Sequence, residues 1–108
     1  MNYHEALGDV AQLRGDILLN LGQADSMQVS FHYAEALIHA ADFNQAELNK
    51  RLNFLAGLLL SITEDGDVTG AQAICDGIII LWREADLNEL CLQVPEFVTE
   101  LRARLASP

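Results

Sequence analysis

The chain has 108 residues, enough for one small domain with a single core and too few for a second unit. Apolar residues make up 51% of it and charged residues 20%, with a mean hydropathy of +0.16, which excludes an intrinsically disordered chain. Sixteen Asp and Glu against six Lys and Arg leave a net charge of −10, so nucleic acid and anionic membrane surfaces are excluded as partners for want of a positive field.

Apolar residues recur at three- and four-residue spacing almost throughout, and no stretch alternates as a half-buried strand does, so the predicted fold is all-α. The first helix is predicted over 3–21, with Tyr3, Leu7, Val10, Leu13, Ile17 and Leu21 as its core stripe and Gly22 as its stop. Gly8 and Gly15 weaken it slightly. The second, over 27–41, follows a cap at Asp25 or Ser26 and presents Phe31, Ala34 and Ile38, flanked by Val29, Tyr33 and Leu37.

Asp42 with Gln45 opens the third helix, over 43–62, whose core face is Leu48, Leu52, Leu55, Leu59 and Ile62. The segment 63–67 has no apolar residue and reads as the clearest loop. Thr69 with Gln72 then caps a fourth helix over 70–85, carrying Ile74, Ile78, Leu81 and Trp82 in register, with Ile79 and Ile80 beside them. Asp86 and Glu89 repeat the capping pattern. Pro95 either kinks the C-terminal helical stretch or starts a new helix at its first turn, and Phe97, Val98, Leu101 and Leu105 form the last stripe. The expected architecture is one antiparallel bundle of four long helices plus a short or kinked C-terminal piece spanning 1–108.

Three clusters invite a chemical reading. His32, Glu35 and His39 share one side of the second helix, yet a single helix supplies too few ligands for a metal, and they read as a polar stripe on a solvated face. Asp65, Asp67, Thr69, Gly70 and Asp76 match positions 1, 3, 5, 6 and 12 of a calcium loop. Position 8 is Gln72 and position 12 lacks the bidentate Glu, so loop carboxylates and helix caps are the expectation. Cys75 and Cys91 lie in apolar stretches without a basic neighbour and read as small buried hydrophobes in a reducing compartment. With no nucleophile motif and no phosphate-cradling loop, we expect no enzyme, metal or cofactor. The N-terminus shows no secretory signal and the apolar runs 58–60 and 78–82 fall far short of the roughly 20 residues a bilayer needs, so a cytoplasmic protein is expected.

The largest apolar excess lies on the fourth helix. Ile74, Ile78, Ile79, Ile80, Leu81 and Trp82 cover more than one face, which predicts either a centrally buried helix or a groove that takes an amphipathic partner helix or a second copy of the chain. From Thr63 through Leu101 there are nine acids and one base, Arg83. That surface either keeps the chain soluble or meets a basic partner, as an acidic inhibitor, an immunity-type protein or a nucleic-acid mimic does.

Residues 73–87, AICDGIIILWREADL, resemble the late helix of the flagellin export chaperones, with Ala73, Asp76, Glu84, Ala85 and Leu87 matching that family's pattern. The helix over 48–62, the Asp65-Gly66 loop, and Val98, Leu101 and Arg102 extend the resemblance over about residues 34 to 105. Cys75 and Gly77 depart from it, standing where the family carries aromatics. The resemblance implies a non-catalytic protein that holds the C-terminal segment of a newly made flagellin-like export subunit. The apolar excess on the fourth helix, and not the resemblance, marks Ile78, Leu81 and Trp82 as leading contacts.

Overall fold

Among the described residues the helical spacing is realised as five α-helices. A computed structural model describes residues 3–21, 26–43, 45–85 and 93–106, and in it α1 spans Tyr3–Leu21, α2 Ser26–Phe43, α3 Gln45–Glu64, α4 Val68–Glu84 and α5 Gln93–Ala106. Among the described residues there is no strand, and the chain is an all-α bundle of four long helices and a shorter fifth. No helix among them is long and apolar enough to cross a membrane.

The helix ends follow from local chemistry. The α3 helix closes at Asp65-Gly66, where Gly66 takes a φ of +100° that a side chain would resist, and Gly66 N donates to Thr63 O at 3.0 Å. The next residue, Asp67, caps α4, its carboxylate accepting from Gly70 N at 2.9 Å. The cap therefore lies two residues before the expected Thr69, which is already helical. Pro95 sits in the first turn of α5, where its missing N–H costs nothing, the second of the two expected places. The caps expected at Asp25 and Asp86 and the stop at Gly22 lie outside the described residues, whereas Asp42, expected to open the third helix, belongs to the last turn of α2, and α3 begins only at Gln45.

Position in the bundle decides what each helix buries. The α4 helix is central, packing against α2, α3 and α5, whereas α1 packs chiefly along α2. Leu48, Leu52, Leu55 and Leu59 of α3 are buried as predicted, and so are Val98, Leu101 and Leu105 of α5, joined by Val94. On α2 the expected stripe and its flank change places: Val29, Tyr33 and Leu37 join Ala34 in the core, Ile38 is half-buried, and Phe31 faces outward. The larger correction concerns α1, whose expected core residues Val10, Leu13, Ile17 and Leu21 are all exposed.

Candidate protein-binding surface

The outward turn of α1 has an identifiable cause in its smallest residues. Gly8, Ala11 and Gly15 lie on one side of the helix, at spacings of three and four, and that side is buried. A Cβ on Gly15 would come within 3.0 Å of the Tyr33 ring, and one on Gly8 within 3.2 Å of the Arg51 guanidinium. The close approach of α1 thus depends on the absence of side chains there, and larger residues are left for the other side.

Polar contacts fix the same rotation. Tyr33 Oη donates to Asp16 Oδ1 at 2.7 Å, and Arg51, buried on α3, donates to Gln12 Oε1 at 3.0 Å and to Asp9 Oδ1 at 2.5 Å. Glu47, one turn before Arg51, closes the cluster with Oε1 3.1 Å from Arg51 Nη2. A buried cation between two carboxylates and an amide ties α1 to α3. Burial and the Asp16 carboxylate push the Tyr33 hydroxyl well above its ordinary range, keeping it a neutral donor.

The result is an apolar surface turned to solvent. Val10 is 46% exposed, Leu13 59%, Ile17 49% and Leu21 58%. Beyond it, Leu18 of α1 and Met27, Gln28, Phe31 and His32 of α2 line an open cleft of about 390 Å³. Met27 and Phe31 are each more than half exposed, and the His32 ring meets Phe31 edge-on at a centroid distance of 5.6 Å. Each of these six large apolar side chains is 46% exposed or more.

The residues expected to contact a partner lie elsewhere. Ile74, Ile78 and Trp82 are core residues, the last two with no exposed surface at all, so the closed bundle offers them to no partner. Leu81 and Ile79 are half-buried against that core. Ile79 also lines an open cleft between α4 and α5 with Asp76, Ile80, Arg83, Thr99 and Arg102, and four of those six residues are polar. Half of the apolar excess of α4 is thus the interior of a central helix, while Ile80 in the same run is 50% exposed. The close packing of α4 on α2 needs Gly77, since a Cβ there would overlap Ser30, whose hydroxyl lies 2.6 Å from Ser26 O and 3.0 Å from Ile74 O.

The other clusters resolve locally. Asp76, the would-be twelfth calcium ligand, lies well inside α4 and pairs with Arg102 at 2.6 Å, while Asp67 is committed to its cap. The segment between the helices is 65–67, not a twelve-residue loop. Glu35 and His39 approach to 3.8 Å, and among the described residues no three metal-capable side chains converge. Cys75 is fully enclosed, and burial, aided by Asp76, pushes its thiol up to about 12, which leaves it without thiolate reactivity at neutral pH. Cys91 lies outside the described residues.

The chain matches no family model, no curated protein and no solved structure.

Proposed function

We propose that the protein is a small acidic, non-catalytic chaperone or adaptor that holds an amphipathic helical segment of a secreted subunit. The observation that carries this reading is the open cleft of about 390 Å³ where Leu18 of α1 meets the outward Met27 and Phe31 of α2. A soluble bundle gains nothing from that arrangement unless the surface is covered in use. Methionine and phenylalanine at the rim suit an apolar helix face, since methionine adapts its shape and an aromatic ring anchors. The net charge of −10 favours a client with basic flanks and keeps the complex in solution.

In its specific form, drawn from the resemblance of residues 73–87, the client is the C-terminal segment of a flagellin-like export subunit in the cytoplasm. The contact we assign is Leu18, Met27 and Phe31, because three of the five α4 residues expected to serve are interior. The test is fluorescence anisotropy with a labelled peptide of the host flagellin C-terminus. Binding should survive high salt and weaken about 10-fold or more in Phe31→Asp, with helicity retained. Binding that disappears at high salt yet ignores Phe31→Asp would favour the acidic-inhibitor reading, which rests on the nine acids between Thr63 and Leu101.

A further inference from the structure

Assigning heptad positions to α1 separates its two sides. With Val10 and Ile17 at a, Leu13 falls at d, and Gly8 and Gly15 fall at f, diametrically opposite the a/d seam. The buried f and b positions, Gly8, Ala11, Gly15 and the half-buried Leu18, face the protein's own bundle, and the seam faces outward. We propose that this seam is the interface between two copies of the chain, with their α1 helices paired in parallel about a two-fold axis.

Residue type and charge select that occupant. β-Branched Val10 and Ile17 at a with leucine at d is the combination that favours two strands. Asp9 falls at g and Arg14 at e, five residues on, and a parallel pair brings each g residue against the partner helix's next e residue. Two Asp9–Arg14 ion pairs would therefore cross the axis, whereas an antiparallel pair would oppose arginine to arginine and aspartate to aspartate. Asp9 engages Arg51 through one oxygen and its side chain is still 54% exposed, so its second oxygen can accept from Arg14. Leu21, also at e, widens the seam.

The area sets the strength. Val10, Leu13, Ile17 and Leu21 offer on the order of 400 Å² per copy, which with polar flanks reaches only the low end of specific interfaces. Association should be reversible, with a micromolar dissociation constant. Apart from Leu18 at b, the lining of the client cleft comes from α2, so the cleft is off the seam and dimerisation leaves it open.

Sedimentation equilibrium of the full chain, from micromolar to near-millimolar concentration, reads this directly. The expected result is a monomer–dimer equilibrium, weakened about 100-fold by Leu13→Glu with Ile17→Glu at unchanged helicity. Arg14→Glu should weaken it about 5-fold. Orientation is tested by oxidising single Val10→Cys and Ile17→Cys chains. A parallel pair links each variant to itself, whereas an antiparallel pair about Leu13 links only a mixture of the two and would overturn the parallel arrangement. A chain that stays monomeric throughout, or a dimer indifferent to Leu13→Glu with Ile17→Glu, would overturn the proposal. Neither result bears on the cleft, which the flagellin peptide and Phe31→Asp test separately.

Discussion

Helices α1 and α4 are both rich in large aliphatic side chains and place them oppositely. The α4 helix has three neighbours, and Ile74, Ile78 and Trp82 vanish among them. The α1 helix has chiefly one, and the fully buried residues of the side that meets it are glycine and alanine, with Leu18 and Leu19 half-buried beside them. The number of neighbours and the closeness of their approach, not side-chain size alone, decide which face of a helix becomes core. A stripe of leucine and isoleucine predicts burial only when something of the chain's own is positioned to bury it.

The largest expected effect is on the cluster that holds α1 in its rotation. Arg51→Ala strips the buried counter-charge from Glu47 and the anchor from Asp9 and Gln12, and should cost about 3–5 kcal/mol in urea unfolding. A loss below about 1 kcal/mol would mean that the cluster does not set the register of α1.

Next comes the small-residue face. Gly15→Val drives a branched side chain into the Tyr33 ring and should cost about 1–3 kcal/mol. The same substitution at Gly57, which has open space around it, should cost none of that overpacking. Equal losses at the two sites would break the contrast between a side of α1 that must be small and one that need not be.

A smaller effect distinguishes the α4 interior by pH. Cys75 keeps its proton in the folded state up to about 12, while the unfolded chain releases it near the ordinary value of 9.0. Between those values the unfolded state binds fewer protons, so stability falls as pH rises through the window. Tyr33, also raised, adds to the fall at its upper end. Cys75→Ala should flatten the decline from pH 9 upward in a series of urea titrations, and an unchanged slope would contradict the enclosure of the thiol.

The helices and several of their ends were legible because they depend on local chemistry: spacing for α3, a proline in the first turn of α5, glycine and aspartate between α3 and α4. The rotation of α1 was not, because a stripe of large apolar residues carries no record of how many neighbours the helix will have. A signal was present in Gly8, Ala11 and Gly15, which share a face at helical spacing and mark a close approach when read together, though each glycine alone reads only as a weak point in a helix and the alanine as an ordinary helix former. Likewise the excess on α4 left a central helix and a docking groove as alternatives, and only the packing of α2, α3 and α5 around it separates them. The outward Met27 and Phe31 were hidden for a related reason, since the α2 stripe and its flank are both apolar enough to serve as core.

In the proposed account, the outer face of α1 contributes little to the fold and is kept apolar for contact with another chain. Trp82, the single tryptophan and fully buried, reports unfolding directly. Its fluorescence in urea, at concentrations dilute enough for monomers, should give Leu13→Gln with Ile17→Gln a stability within about 0.5 kcal/mol of the unsubstituted chain. A loss above about 2 kcal/mol would show that these side chains are buried in the monomer and that α1 has no face to offer.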